Sequence, residues 1–243
     1  MSLSQEWSAI SEAMYGEDFI AELAVFLGKS GVDRILECGC GNGHILEGLA
    51  RRGFYGVGID AEPEMIGIAN KEHIHPNVTY RLMNWLNLDQ LDETFDAVIC
   101  RGNTLAYVNS WGKVKRDFEP ETTRFLIEKS IGIMYHQFKP SGILYLDTIA
   151  SDEITQGNHD IRLRLPGIEL AGRIEYDWQK RARYISGSGT VYGREFRGDS
   201  ICYLLTVDEL VEILRSLQPT EICRPKLAHE PNYDVVCVRK SNP

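Results

Sequence analysis

The chain of 243 residues contains no apolar run approaching the roughly 18 residues that a membrane span requires. Its opening stretch, MSLSQEWSAISEAMYGED, carries acids and lacks the basic-then-apolar order of a secretory leader. Positive charge is in deficit: 26 Lys and Arg stand against 35 Asp and Glu, a formal net charge of −9. That balance disfavours nucleic acid and anionic membranes as partners. The six cysteines show no framework spacing. Cys38-x-Cys40 has neither a second pair nor histidines at zinc spacing, and His73 and His75 lie on an expected loop without acidic partners, so no metal site is expected. Cys38, Cys100, Cys202 and Cys237 sit in or beside apolar strand-like runs, which reads as reduced, buried thiols of a cytoplasmic protein. Repeats and low-complexity segments are absent too.

What is present is an alternation of two periods. RILEC (34–38), YGVGID (55–60), VTYRLM (78–83), FDAVIC (95–100) and GILYLDTIA (142–150) read as buried strands. Helical patterns follow the first two. Another, ETTRFLIEKSIGIMYHQF, places Phe125, Leu126, Ile133, Met134 and Phe138 on one stripe, with His136 as a structural residue, and ends in the helix-stopping KPSG. Strand–helix alternation predicts a parallel sheet covered on both faces, with ligands at the loops following the strands. From Ser151 to about Ser200 the period becomes two, and SGSG at 186–189 reads as a turn between antiparallel strands. LTVDELVEILRSL then reads as a helix with a Thr206 cap and Glu209 at the capping-box position, and DVVCVRK as a closing strand.

The stretch RILECGCGNGHILEGLA spends three glycines between the first strand and its helix. Gly39 and Gly41 let the chain turn tightly, and Gly43 lets the helix start close to the sheet, a device that offers backbone N–H groups to a ligand. A dinucleotide fingerprint requires glycine where His44 stands. Glu37, two residues before the first glycine, repels a pyrophosphate but suits a cationic ligand such as the ammonium of S-adenosylmethionine. Asp60 ends the next strand, where a carboxylate accepts both ribose hydroxyls.

LECGCGNG, GVGID, NWLNLD, FDAVICRGNTLAYV and FKPSGILYLD, in this order and spacing, resemble the class I S-adenosylmethionine-dependent methyltransferases. MNWLNLD and FDAVICRGNTLAYV are most similar to the glycine and sarcosine N-methyltransferases within that superfamily. The resemblance implies an α/β, doubly wound, mostly parallel seven-stranded sheet (Rossmann-like), forming one domain over 1–243 with 151–200 as a substrate-covering antiparallel β insertion. It implies S-adenosyl-L-methionine as cofactor, S-adenosyl-L-homocysteine as product, and a small-molecule acceptor methylated at an amine nitrogen by in-line transfer. Gly39 would then offer its backbone to the methionine part beside Glu37, Gly41 and Gly43. Asp60 would hold the ribose, with Ala61 and Met65 near the adenine. Asn84 would meet the adenine amine edge, Trp85 would lie along the base, and Arg101 would contact the methionine end through its backbone. Asn103 would face the acceptor, Tyr15 would close over the site, and Tyr203 falls near a family active-site tyrosine.

One departure stands out. Where the glycine-type enzymes carry Asp-His-Arg after the fifth strand, with the arginine gripping a substrate carboxylate, this chain has Asp147-Thr148-Ile149. Arg162, Arg164 or Arg173 of the insertion could replace that arginine, or could form a solvated strand face. His44 is a further candidate, as a proton acceptor. A cofactor-binding protein without turnover, an O-methyltransferase and a nicotinamide-dependent oxidoreductase are the competing readings. The absence of an Asn/Asp-Pro-Pro-Tyr motif after FDAVIC disfavours a nucleic-acid methyltransferase.

Overall fold

The computed structural model describes residues 3–111, 118–230 and 232–240; the remainder of the expected 1–243 domain lies outside the described residues. Two N-terminal helices, α1 (Leu3–Met14) and α2 (Glu17–Lys29), precede the alternating half. That half runs β1 (Arg34–Cys38), α3 (His44–Ala50), β2 (Tyr55–Asp60), α4 (Pro63–Glu72), β3 (Val78–Leu82), β4 (Phe95–Cys100), α5 (Pro120–Gln137) and β5 (Phe138–Ile149). A short helix α6 (Ser151–Gln156) leads into β6 (His159–Leu165), β7 (Ile168–Asp177), β8 (Ala182–Val191) and β9 (Arg194–Tyr203). Then come α7 (Val207–Ser216), β10 (Glu221–Cys223) and β11 (Tyr233–Arg239). No helix among the described residues is long and apolar enough to cross a membrane.

The main sheet has seven strands in the order β10-β11-β5-β4-β1-β2-β3, with β11 antiparallel to both its neighbours and β1 to β5 parallel. The chain winds outward through β2 and β3, then returns to the other side of β1 for β4. The strand order therefore reverses between β1 and β4, where open α/β sheets bind ligands.

Side-chain alternation divides the core into two layers. Leu36, Val98 and Leu144 face α5 and α7, meeting Ile127, Ile131, Met134, Leu210 and Leu214. Ile35, Ala97, Ile99, Ile143 and Tyr145 face α2 and α3, meeting Phe19, Leu23, Leu27, Ile45 and Leu49. On that second face the next positions towards the carboxyl ends are Glu37, Arg101 and Asp147, all buried. Three apolar columns thus end in three charged groups at the reversal point.

The second sheet is a four-stranded antiparallel meander, β6-β7-β8-β9. α1 packs on it through Ile10, against Ile168, Val191 and Phe196. The SGSG segment, expected as a turn, lies in the middle of β8, paired with β7 on one side and β9 on the other. Its small residues serve close strand approach: a Cβ on Gly189 would sit 2.0 Å from the Glu169 carbonyl oxygen, and one on Gly172, opposite Gly187, 2.1 Å from that of Ser186. The three turns fall at Gly167, at 178–181 and at Tyr192-Gly193, with positive φ at Gly167, Arg181, Tyr192 and Gly193.

The stripe expected on α5 is also displaced. The helix buries Thr123, Ile127, Ser130, Ile131 and Met134, while Phe125 is 63% exposed and His136 is exposed. Two hydroxyl residues on the inner face hide the periodicity. Thr123 binds Asn109 Oδ1 at 2.8 Å, and Ser130 accepts from Trp85 Nε1 at 3.0 Å. KPSG does not form a separate turn, because β5 begins at Phe138, directly where α5 stops. α7 carries the expected capping box between Thr206 and Glu209.

Candidate active site

The loop from Gly39 to Gly43 lies at the carboxyl end of β1, and all three glycines have positive φ: 73°, 55° and 83°. Two of them are filled closely by the protein. A Cβ on Gly39 would lie 2.4 Å from Thr104 Cγ2 and 3.2 Å from the Trp85 ring, and one on Gly43 would enter the Tyr80 ring. Around Gly41 nothing lies within 4 Å of that position. The loop is open at its tip and braced at both shoulders.

Glu37 is 3% exposed at the base of this loop, and its Oε2 has no hydrogen-bond partner. Burial pushes its carboxyl up to about 7; nearby Arg101 opposes the shift and Asp60 adds to it. A buried carboxyl without a partner is costly. A ligand cation would relieve that cost. Asp60 accepts from Gly41 N at 2.9 Å (Oδ2) and from Glu62 N at 2.8 Å (Oδ1). Burial raises its pKa, and these backbone donors hold it back. The remaining lone pairs point it to further donors.

Beside Asp60, Ala61 is exposed and Met65 buried at the start of α4. Asn84 is exposed, and its Oδ1 caps the 3-10 turn Trp85–Gln90 by accepting from Leu86 N at 2.9 Å. Trp85 is half-buried: its N–H is held by Ser130 of α5 while its ring borders Gly39.

At the end of β4, Asp147 fixes the exit turn by accepting from Gly102 N and Asn103 N, both at 2.7 Å. Asn103 adopts the left-handed conformation (φ 55°) that this turn imposes. Its Nδ2 contacts Cys202 Sγ at 3.6 Å and its buried Oδ1 has no partner. Burial foremost, then Glu230, raise Asp147 to about 7 against the pull of Arg101 and the two backbone donors.

Arg101 is buried with its guanidinium among aromatic rings. It lies 4.1 Å over the Tyr15 ring and 4.6 Å over the Phe19 ring, with Nη2 3.2 Å from Glu230 Oε2. Its carbonyl accepts from Thr104 Oγ1 at 2.6 Å. Tyr15, buried at the junction of α1 and α2, is thus drawn to the β4 end by a cation–π contact. His44 opens α3 with Nδ1 2.8 Å from Asn42 Oδ1, and burial lowers its pKa to about 4, so the ring is neutral at pH 7. His73 pairs with Glu12 at 3.3 Å, a partner the sequence reading did not foresee.

Tyr203 stands apart from this group. Its hydroxyl donates to Glu209 Oε1 of α7 at 3.2 Å and its ring lies in the α5–α7 core layer. Its neighbour Cys202 points to Asn103 instead, as strand alternation requires. The register aligns Tyr176, Arg183 and Cys202 across β7, β8 and β9, on the face turned to Asn103. There Arg183, 7% exposed, holds Glu153 of α6 through Nε and Nη2 at 2.9 Å each, and Tyr176 donates to the same carboxylate. Tyr107 and Ser200 are 3.3 Å apart nearby. The insertion arginines Arg162, Arg164 and Arg173 are exposed, and Arg173 pairs with Asp160.

The structure therefore brings Glu37, Gly39, Gly41, Gly43, Asp60, Trp85, Arg101, Asn103 and Tyr15 to one end of the sheet, with Ala61, Met65 and Asn84 along its β2–β3 side. Thr104, Asp147, Glu153, Arg183, Cys202 and Glu230 are additional members. None of these six carried a local signal in the sequence that marked it as part of the site. One hollow of about 310 Å³ lies by Arg34 and Tyr55 at the amino ends of the strands, and another of about 320 Å³ borders Tyr176 and Trp178 on the second sheet. The first lies at the wrong edge for a ligand of a parallel sheet.

Residues 35–118 match a family described as a methyltransferase domain. A putative methyltransferase of a Geobacillus species is 27% identical over 154 residues, 60% of this chain and 57% of that protein. Glycine N-methyltransferase of Mus musculus is 31% identical over 140 residues, 54% of this chain and 45% of that protein. The chain thus aligns with about half the length of these curated relatives. An amino pentose methyltransferase from Micromonospora echinaspora, solved with S-adenosylmethionine bound, superposes with a TM-score of 0.73 at 20% identity, over 96% of both chains. Residues 35–118 are thus similar to a methyltransferase domain, and the chain as a whole has the Rossmann-like α/β fold of the methyltransferase structures it superposes on.

Proposed function

We propose that the protein transfers a methyl group from S-adenosylmethionine to an amine nitrogen of a hydroxyl-bearing small molecule. The observation that carries the cofactor half is the buried Glu37 carboxyl, unpartnered at Oε2 beneath a loop whose tip at Gly41 is open. Glu37 takes the ammonium, Asp60 the ribose hydroxyls, and the Gly39–Gly41 backbone the methionine part. Met65, Ala61, Asn84 and Trp85 line the adenine side. When bound, the cofactor supplies an electrophilic methyl on a sulfonium, open to in-line displacement by a lone pair.

The chain's task is then alignment and exclusion of water. Asn103, held by Asp147, offers its free Oδ1 to an acceptor N–H and leaves the nitrogen lone pair directed at the methyl. Tyr15 covers the methionine end. Burial keeps Cys202 and Tyr107 in their neutral forms, and the one guanidinium on that face, Arg183, is paired with Glu153. Such a setting favours an amine, which brings its own lone pair, over a hydroxyl, which needs a base. Because Arg183 is committed to Glu153, the acceptor wall offers a balanced donor–acceptor pair. Among the described residues this wall offers no free guanidinium of the kind that would select a carboxylate. The amino pentose specificity of the Micromonospora enzyme accords with this reading.

The test is S-adenosylhomocysteine formation, followed by mass spectrometry, with amino sugars and amino alcohols against amino acids such as glycine. Turnover with the hydroxylated amines is the expected outcome. Turnover restricted to amino acids would overturn the acceptor assignment, and absence of binding to either cofactor form would overturn the reading as a whole.

A further inference from the structure

Among the six cysteines, two face each other. β10 and β11 pair antiparallel with Cys223 directly opposite Cys237. Directly opposed residues of an antiparallel pair have Cα atoms about 4.5 or 5.5 Å apart and side chains on the same face, and both spacings fall within the disulfide range. The two thiols interact with each other, and both are reduced. Cys223 is half-buried on the edge strand, while Cys237 is buried in the α2–α3 core layer.

We infer that Cys223 and Cys237 form a redox modification site, at which a small-molecule disulfide converts the dithiol to a cross-strand disulfide. Cys223 is the entry point. Its thiol is pulled down to about 7 by the hydrogen bond with Cys237, against burial and the Glu221 carboxylate on the same strand, with a smaller pull from Arg239 on β11. The other five thiols are shifted the opposite way by burial. They form a nucleophilic thiolate far less readily at neutral pH.

The chemistry balances in two exchanges. The Cys223 thiolate attacks one sulfur of the reagent, forming a mixed disulfide and expelling one thiolate. Cys237 then gives its proton to solvent and attacks the Cys223 sulfur, which forms the protein S–S bond and expels the second thiolate. Two protein thiols are oxidised and the reagent disulfide is reduced to two thiols. Burial slows ionisation of Cys237 and shields it from direct attack; the second exchange is intramolecular, and the fixed proximity of the opposed sulfur offsets that slow ionisation. The product ties the edge strand β10 to β11 and closes the loop that carries Glu230.

This inference is independent of the cofactor and acceptor readings. The experiment treats the full chain with glutathione disulfide at neutral pH, alkylates the remaining thiols, and maps the unreduced peptides by mass spectrometry. A peptide joining Cys223 to Cys237, four alkylated cysteines and reversal by dithiothreitol are expected. The Cys223→Ser variant should show no crosslink, and Cys237→Ala should stop at a mixed disulfide on Cys223. The pH profile of Cys223 alkylation should have its midpoint near 7 in the parent and nearer the free value of about 8.5 in Cys237→Ala. A parent protein that stops at the mixed disulfide, or in which Cys223 does not react, overturns the inference.

Discussion

The buried carboxyl of Glu37 makes cofactor affinity a function of pH, and the size of the effect follows from its environment. With its pKa raised to about 7, Glu37 is largely protonated in the free protein below neutrality. An ammonium docking at Oε2 requires the carboxylate, so binding expels a proton. About half of the molecules carry the carboxylate at pH 7 and roughly 3% at pH 5.5, so affinity should fall about 16-fold between the two, near 1.7 kcal/mol. Calorimetric titration with S-adenosylmethionine in two buffers of different ionisation enthalpy reads both quantities. About 0.9 proton should be released per ligand at pH 6. 5′-Methylthioadenosine, which lacks the ammonium, should bind without this slope. So should S-adenosylmethionine to Glu37→Gln, more weakly. Arg101 and Asp60 face the same carboxyl: Arg101 stays cationic and favours the carboxylate, while Asp60, itself raised by burial, disfavours it. A flat profile in the parent protein would refute the ammonium assignment. A slope that survives in Glu37→Gln would move the titration to the Asp147–Glu230 pair. The stability of the free protein should show the opposite sign. The folded pKa lies above the ordinary 4.5, so Glu37 favours folding while protonated, and that contribution is lost as pH rises from 4.5 through 7. Glu37→Gln should therefore stabilise the free protein at about pH 8, by about 1–3 kcal/mol, and leave it unchanged near pH 4, read by urea unfolding.

Asp60→Ala should weaken S-adenosylmethionine by about 10- to 100-fold, since hydrogen bonds to a charged group contribute about 1.5–3 kcal/mol; the same titration measures it. Gly43→Ala should destabilise the fold by about 2–4 kcal/mol in urea unfolding, because a Cβ there meets the Tyr80 ring at 2.5 Å and the residue sits at φ 83°. Glu153→Gln should raise the KM of a hydroxylated amine acceptor about fivefold or more while changing the S-adenosylmethionine Kd less than twofold, because Glu153 orients Arg183 and Tyr176 on the acceptor side alone.

The strands that position the site were legible because strands buried on both faces write themselves as apolar runs, as parallel β1, β2, β4 and β5 and antiparallel β11 all do. Glu37, the three glycines and Asp60 were legible because they adjoin such strands within about one βαβ unit. Where a residue type served an unusual purpose, local reading failed. The glycines of SGSG act as spacers between strands instead of turn formers, and Thr123 and Ser130 occupy inner positions of α5 as hydrogen-bonding groups. The residues that fix the β4 exit were hidden for a different reason. Asp147 reaches Gly102 across 45 positions and Glu230 reaches Arg101 across 129, distances over which sequence pattern carries no pairing information. Tyr203 shows the cost of an uncertain strand phase. One residue's shift along β9 exchanges a core tyrosine for the cysteine that meets Asn103.

The loop before β11 has a consequence for how the protein is made. Glu22 of α2 accepts from the backbone N–H groups of Ala228 and His229, and Glu230 then reaches Arg101 beneath Tyr15. Contacts spanning more than 200 positions close last in folding, since their loop-closure cost comes before any gain. During synthesis, residues 34–100 emerge long before residue 230. Until then the Arg101 guanidinium lacks its carboxylate and the α1–α2 junction lacks its fastening. Cofactor retention thereby becomes a property that a nascent chain acquires only near the end of translation, and a truncated product ending before residue 228 should be one that the cofactor does not rescue.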